Sequence, residues 1–253
     1  MNMATNMATS ATTGTAPAAS SEPTSLLADP NWKLHLGWGL GTIGASILLN
    51  SFAALQAAYL TTVMGIAAAT AGGLLFIAKL WDIFSNPLMG WLSDRTETRW
   101  GRRRPYLLLG GIVSGLAMMI FFSSALTPVA QSSVLIVLTL ALVGTGYTIF
   151  NVPYMAMPSE LSNDYRERTR MMSWRVTFIG IATLIGASAQ KVAELMGQGA
   201  IGYARMGVLY GALTMVFMAW PFFGTASAPT RPRDVKRVSF GAQLNTAFAN
   251  KPF

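Results

Sequence analysis

Long apolar stretches alternate along this chain with short polar links. Six of these stretches approach the roughly 20 residues that a helix needs to cross the hydrocarbon of a bilayer. We place them at about 36–62, 66–92, 105–126, 132–158, 172–194 and 204–224. Glycine is frequent within them, and small residues let helices pack closely in lipid. The pattern predicts an all-α membrane protein whose fold is a six-transmembrane-helix bundle.

The polar links differ in charge, and this difference predicts an orientation. The links after spans one, three and five carry few charges, whereas the links after spans two, four and six are rich in arginine: DRTETRWGRRRP, SELSNDYRERTR and TRPRDVKR. Basic residues favour the cytoplasmic side of a membrane. We therefore expect the arginine-rich links, and with them both termini, to lie in the cytoplasm.

Composition excludes several other classes of protein. Of the 253 residues, 52% are hydrophobic and 11% are charged, against roughly 25% charged in soluble domains. The chain has no cysteine and a single histidine, His35, so disulfides, cysteine-ligated metals and zinc sites are not expected. The net charge of +8 lies in the links rather than on a polar face, so nucleic acid is not an expected partner. No pattern typical of covalent catalysis or of a cofactor site is present, so we expect no enzyme activity and no cofactor.

Three regions are predicted from the distribution of polar residues. Residues 1–30 contain no Lys or Arg and no long apolar core, so they lack the marks of a secretory signal. We expect them to form a disordered cytoplasmic N-terminal tail. Residues 31–226 hold the six-helix transmembrane bundle. Residues 227–253 are expected to form a cytoplasmic linker towards a second bundle that is missing from this chain.

An acid and a base lie within the second apolar stretch. Lys79 and Asp82 are three residues apart and therefore share a helix face. A charge at mid-membrane costs roughly 2.5–3.5 kcal/mol on insertion scales and is a functional candidate by default. One interpretation is an ion pair that holds helices together. The other, which we favour, is a proton or sodium site, because loss of water favours the neutral acid while a nearby cation favours the anion.

Further polar groups follow in spans two, four and five. Ser85 and Asn86 come within about one turn of Asp82, and oxygen ligands suit a hard cation. Tyr147, Thr148 and Asn151 share a face of span four, where interhelical hydrogen bonding is the alternative role. Arg175 lies near the start of span five and offers five donors for hydroxyl or carboxylate oxygens. Its alternative role is an anchor to lipid phosphate.

Four motifs resemble those of a known family. GWLSDRTETRWGRRRP resembles the cytoplasmic 2–3 loop motif of major facilitator transporters. WDIFSNPLMGW, GYTIFNVPYMAMPSEL and YRERTRMMSWR resemble the glycoside–pentoside–hexuronide:cation symporter family, which includes melibiose permease. The resemblance covers about residues 33–253 and implies the N-terminal half of a twelve-helix major facilitator fold. It also implies cation-coupled symport of a sugar or glycoside by alternating access, in a bacterial inner membrane.

The resemblance implies roles for individual residues. The cation-binding or coupling residues would be Asp82, Ser85, Asn86 and Thr148. The substrate-binding residues would be Tyr147, Asn151, Arg175 and Ser46. The cytoplasmic gate motif would comprise Gly90, Asp94, Arg95, Gly101, Arg102, Arg103 and Arg104. The implied partners are a small sugar or glycoside, the lipid bilayer and a C-terminal six-helix half.

Departures from the melibiose-type pattern affect the expected ion and substrate. Asn86 and Asn151 stand where that pattern has carboxylates, Ser85 stands where it has asparagine, and Ser46 aligns with its span-one aspartate. A proton needs one titratable group, whereas a site with one carboxylate disfavours Na⁺, so we favour H⁺ coupling through Asp82. Two alternatives remain: a transporter of lipids or other polar solutes on the same fold, and a non-transporting six-helix fragment.

Overall fold

The computed structural model describes residues 31–127, 132–162 and 164–226. Helices make up nearly all of this described part, which contains no strand. The all-α prediction is therefore confirmed. The predicted tail, 1–30, and the predicted linker, 227–253, lie outside the described residues.

Six helical segments of the described chain are long and apolar enough to cross a membrane. We number them spans one to six: Trp32–Val63, Ala68–Arg95, Arg104–Leu126, Ser133–Leu161, Tyr165–Met196 and Gly199–Gly224. The six predicted spans are confirmed. Spans five and six begin several residues before the predicted 172 and 204, because helical structure extends into the polar links on their N-terminal sides.

Most spans consist of more than one helical piece. The α-helices are Trp32–Gly39 (α1) and Gly41–Ala58 (α2) in span one, Ala68–Arg95 (α3) in span two, Arg104–Ser123 (α4) in span three, Ser133–Ala156 (α5) and Pro158–Leu161 (α6) in span four, Tyr165–Ala187 (α7) and Ala189–Met196 (α8) in span five, and Gly199–Gly224 (α9) in span six. A π-helical turn, Tyr59–Val63, ends span one, and a 3₁₀ turn, Ser124–Leu126, ends span three. Pro158 begins α6, since a proline in the first turn loses no hydrogen bond.

The spans pack in a defined order. Span three contacts spans four and six, span one contacts spans five and six, and span two packs mainly on span four. The order across the bundle is therefore two, four, three, six, one and five. Glycines allow the central crossing: a Cβ added at Gly115 would lie 2.6 Å from the carbonyl oxygen of Gly211. The helices of spans three and six are thus in backbone contact there.

Aromatic side chains fill the bundle at both ends. Tyr59 packs against Phe121 and Phe122 with ring centroids 5.3 Å apart, and its hydroxyl donates to the Phe122 carbonyl at 3.0 Å. Towards the opposite end, the rings of Trp38 and Tyr154 are stacked at 4.6 Å. These contacts fix span one against spans three and four. Span two is the least buried of the spans, and its outer face is apolar, as a lipid-facing surface would be.

Candidate functional site

Spans one, two and four enclose a cleft of about 240 Å³. Span one contributes mainly apolar side chains, among them Leu48 and Phe52. Spans two and four contribute polar ones: Lys79, Asp82, Asn86, Tyr147 and Thr148. One wall is thus apolar, while the other offers a small number of oxygen and nitrogen atoms. This combination is typical of a small-molecule or ion site.

Asp82 lines this cleft. One of its carboxylate oxygens is paired, and the other is open, by which we mean that it has no hydrogen-bond partner among the described residues. Its Oδ2 accepts from the Lys79 ammonium at 2.9 Å. Its Oδ1 is buried and has no hydrogen-bond partner among the described residues. Gly144 of span four faces that oxygen, and a Cβ added there would lie 2.5 Å from it. The ion pair therefore leaves one carboxylate oxygen, packed against Gly144, without a hydrogen-bond partner in the described part of the chain.

Asn86 is held by contacts that differ from the expected ones. Its Nδ2 donates to the Asp82 backbone carbonyl at 2.7 Å, and its Oδ1 accepts from the Thr148 hydroxyl at 3.3 Å. The amide thus links spans two and four and does not turn towards the Asp82 carboxylate. Ser85 is buried, donates to the Asp82 carbonyl at 3.4 Å and does not line the cleft. The structure brings Asp82, Asn86 and Thr148 together and leaves Ser85 outside.

Arg175 of span five points towards span four. Its charge is close enough to act on the hydroxyls of Tyr147 and Tyr154. Its Nε is buried without a hydrogen-bond partner among the described residues. Asn151, one turn after Tyr147, is half-buried on the same span. Two of the predicted substrate residues, Tyr147 and Arg175, therefore lie near each other.

Ser46, the substrate-binding residue predicted in span one, lies apart from the cleft. Ser46 is buried and does not line the cleft. Its backbone carbonyl accepts from the Nδ2 of Asn50 at 2.8 Å, and the same nitrogen lies 3.4 Å from the Thr183 hydroxyl of span five. Asn50 is thus a polar link between spans one and five that the sequence analysis missed. Its position four residues after Ser46 is the signal that could have found it.

Arginines of the 2–3 link form an ionic network at one end of the bundle. The Arg103 guanidinium lies 2.9 Å from Asp94 Oδ1 and 3.0 Å from Glu160 Oε1, and Arg102 also pairs with Glu160. Burial lowers the pKa of Arg103, while the Glu160 and Asp94 carboxylates act in the opposite direction. Glu160 was missed by the sequence analysis, although it is the first acid after Pro158 ends the long helix of span four. We call this end of the bundle the arginine-rich end.

The rest of the predicted gate motif serves other contacts. Arg104 donates to the Phe222 carbonyl at 2.5 Å and lies 5.2 Å from the centre of its ring, which ties the link to span six. Arg95 stacks on the Trp91 ring at 4.3 Å. Gly101 has a φ of 97°, a conformation that glycine adopts readily and that reverses the link.

Gly90 has no such constraint. The nearest atom to a Cβ added at Gly90 is Val152 Cγ1, at 3.8 Å. That distance is an ordinary van der Waals contact, so the structure gives no steric reason for a glycine there. Within the described ranges, no group of three His, Cys, Asp or Glu side chains forms a candidate metal site.

Comparison with known proteins decides the family. Residues 37–253 match the family described as MFS/sugar transport protein. The chain belongs to this family. Because its homologues are major facilitator transporters, the protein is not an enzyme. The resemblance to cation-coupled glycoside symporters is confirmed by the names of its relatives.

Three of these relatives are bacterial transporters. YagG of Escherichia coli, named as a candidate glycoside/cation symporter, is 32% identical over 196 residues, which is 76% of this chain and 43% of YagG. The inner membrane symporter YicJ of Escherichia coli is 30% identical over 143 residues, 56% of this chain and 31% of YicJ. The isoprimeverose transporter of Lactiplantibacillus pentosus is 27% identical over 204 residues, 80% of this chain and 42% of that protein. The chain thus spans less than half the length of these relatives.

Proposed function

We propose that this chain is the N-terminal six-helix half of a cation-coupled sugar or glycoside symporter that works by alternating access. The observation that carries the proposal is the Asp82 carboxylate, which keeps a buried, unpartnered oxygen in the cleft between spans one, two and four. Family membership and the symporter names of the relatives support the class of activity. In such transporters, two bundles rock around a site at the middle of the membrane.

We propose H⁺ as the coupling ion. Asp82 is the only carboxylate among the residues that line the described cleft. A sodium ion needs several oxygen ligands, and here Asn86 Oδ1 and the Thr148 hydroxyl already bond to each other. A proton needs only the open oxygen. Protonation of Asp82 ends its ion pair with Lys79, so the charge state of the cleft changes as the site is loaded.

We propose that the substrate contacts Arg175, Tyr147 and Asn151. The guanidinium offers paired donors to sugar hydroxyls. Because it is charged, its hydrogen bonds to them are stronger than those of a neutral donor. Its buried Nε and its closeness to the Tyr147 hydroxyl support this role over that of a lipid-phosphate anchor. Tyr147 and Asn151 belong to span four and Arg175 to span five, so the proposed substrate would bridge these two spans. Tyr147, which lines the cleft and lies near Arg175, would connect the cation and substrate sites.

We also propose that the arginine-rich end faces the cytoplasm, as the positive-inside bias predicts. The ionic network of Asp94, Arg103 and Glu160 would then close the cytoplasmic side of this half. In that arrangement, opening towards the cytoplasm requires the network to loosen.

The proposed function is tested by transport in proteoliposomes. The complete reading frame that contains this chain is expressed, purified and reconstituted. Uptake of melibiose, lactose, isoprimeverose and a glucuronide is then measured by mass spectrometry, with a pH gradient or a Na⁺ gradient imposed in turn. We expect at least one sugar to accumulate above its external concentration when the gradient is present. Equal internal and external concentrations of every sugar under both gradients would contradict symport of these sugars, and movement of fluorescent lipid alone would favour a lipid transporter.

A further inference from the structure

Spans two and four meet along matching faces at the cation site. Asp82 and Asn86 are one helical turn apart in span two. They face Gly144 and Thr148, which are one turn apart in span four. Because both pairs advance by four residues in the same direction, the two helices run parallel in close register. The position of the open Asp82 oxygen therefore depends on how span two is rotated against span four.

A hydrogen bond beside Asp82 sets that rotation. The Trp81 indole Nε1 donates to the Thr145 hydroxyl at 2.8 Å, and that hydroxyl donates in turn to the Ala141 carbonyl at 2.7 Å. The Thr145 hydroxyl hydrogen is thus committed to its own helix, and its oxygen receives the indole. The bond is shorter than the 3.3 Å contact of Thr148 with Asn86. In hydrocarbon no water replaces a lost partner, so the bond favours one rotation of span two.

We infer that Trp81 and Thr145 are positioning residues for cation coupling, because their hydrogen bond holds Asp82 Oδ1 against Gly144. Neither residue touches the cation. Trp81 precedes Asp82 and Thr145 follows Gly144, so the bond joins the neighbours of the two groups whose separation it sets. This inference rests on the proposed function and adds to it the residues that fix the geometry of its cation site.

The charged and titratable groups around Asp82 are few. Among the residues that line the cleft, span two contributes Lys79 and span four contributes Tyr147. The lining residues of span one carry no titratable side chain, and Gln56 is the polar one. Lys79 is on the same helix as Asp82 and turns with it. The part of the site that changes when span two rotates is therefore the contact between Asp82 and span four.

Two conservative variants test the inference in the complete protein. Trp81→Phe and Thr145→Val each remove the hydrogen bond and keep most of the side-chain shape. Sugar uptake into proteoliposomes is measured against proton concentration in Na⁺-free buffer, and against Na⁺ at fixed pH. We expect the cation concentration for half-maximal uptake to rise about threefold in each variant, the effect of one average interhelical hydrogen bond. The maximal rate of sugar exchange without a gradient should stay unchanged, and Thr145→Ser, which keeps the hydroxyl, should restore the original value.

Matched controls separate this role from general packing. Trp220 of span six has the same 47% exposure as Trp81, and the Thr139 hydroxyl of span four makes the same kind of bond to a carbonyl four residues back. Trp220→Phe and Thr139→Val should leave the cation dependence as it was. The double variant of Trp81 and Thr145 should be no worse than either single variant, because both remove one bond.

The possible results distinguish the inference from the proposed function. Unchanged cation dependence in both test variants would overturn the positioning role, as would a loss of exchange rate without a shift in cation dependence. Additive effects in the double variant would overturn it as well. Cation-independent uptake by the unaltered protein would overturn the proposed coupling and the positioning role together, and this result is visible before any variant is compared.

Discussion

At the scale of single residues, Asp82 and Arg175 have different surroundings. Asp82 shares its charge with Lys79 and keeps one oxygen open in the cleft. Arg175 has the hydroxyls of Tyr147 and Tyr154 nearby and a buried Nε without a hydrogen-bond partner among the described residues. A buried polar atom without a partner costs about 1–3 kcal/mol. Both residues therefore suit sites that a small ligand completes.

Replacement of Arg175 should weaken sugar binding without a gradient. Arg175→Ala removes charge-assisted hydrogen bonds that contribute about 1.5–3 kcal/mol, so the sugar concentration for half-maximal exchange should rise roughly 10- to 150-fold. The measurement is equilibrium exchange of labelled sugar in proteoliposomes. Arg205→Ala, which alters an exposed arginine of span six, is the control. Normal exchange by Arg175→Ala would assign the guanidinium to a lipid phosphate or to packing.

At the scale of elements, glycines decide how closely spans three and six approach. A Cβ added at Gly211 would lie 2.7 Å from the Gly115 carbonyl oxygen, whereas one added at Gly73 of span two meets no atom within 4 Å. Gly211→Ala should therefore lower the free energy of unfolding by about 1–3 kcal/mol through overpacking. Gly73→Ala should leave it unchanged or raise it by roughly 0.5–1 kcal/mol. Thermal unfolding in detergent measures both, and equal effects would mean that the helices are not in backbone contact.

The ionic network should protect the 2–3 link from proteolysis. Glu160→Gln removes the carboxylate that Arg102 and Arg103 share, so the link should loosen and trypsin should cut after these arginines several times faster. Asp94→Asn should have a smaller effect, because the Asp94 side chain is 54% exposed and pairs with Arg103 but not with Arg102. The rate of tryptic cleavage of each variant in membranes, measured by mass spectrometry, shows which substitution has the larger effect. A larger effect of Asp94→Asn would reverse the assignment of Glu160 as the central acid.

The elements themselves were predictable from hydropathy, because a span is defined by its length and apolar content along the chain. The contacts between them were not. Whether Glu160 meets Arg103, or Trp81 meets Thr145, depends on the rotation and tilt of each helix, which a one-dimensional pattern does not contain. For the same reason Ser85 was placed with Asp82 and Asn86 from spacing and from the family resemblance, although its side chain does not line the cleft. Asp82 itself was predictable, since an acid among apolar residues is costly unless it is used.

At the scale of the whole molecule, the bundle places its polar groups on inner surfaces and at one end. The cleft and Arg175 lie within the bundle, and the ionic network lies at the arginine-rich end. Spans two and five, at the two edges of the packing order, are the least buried. This distribution suits the proposed half-transporter, whose edge helices would face lipid or a second bundle. The arginines predict its orientation in the membrane.

Cysteine labelling tests this orientation cleanly, because the chain contains no cysteine of its own. Ser132 lies just before the start of span four and Ser159 lies near its end, and both serines are exposed. Ser132→Cys and Ser159→Cys therefore make the same change at opposite ends of one span. A membrane-impermeant maleimide should label position 132 in intact cells and position 159 only in inverted vesicles. The reverse result would place the arginine-rich end outside the cytoplasm.

The central claim is that Asp82 couples a cation to sugar movement, and one substitution tests it most directly. Asp82→Asn keeps the size of the side chain and removes its titratable oxygen, so gradient-driven accumulation should be lost while sugar exchange persists. Glu194→Gln is the matched control. Lys191 and Glu194 form an ion pair with the same spacing of three residues as Lys79 and Asp82, but on an exposed surface. The account predicts that this control accumulates sugar normally. Accumulation by Asp82→Asn equal to that of the unaltered protein would contradict the role of Asp82 in coupling.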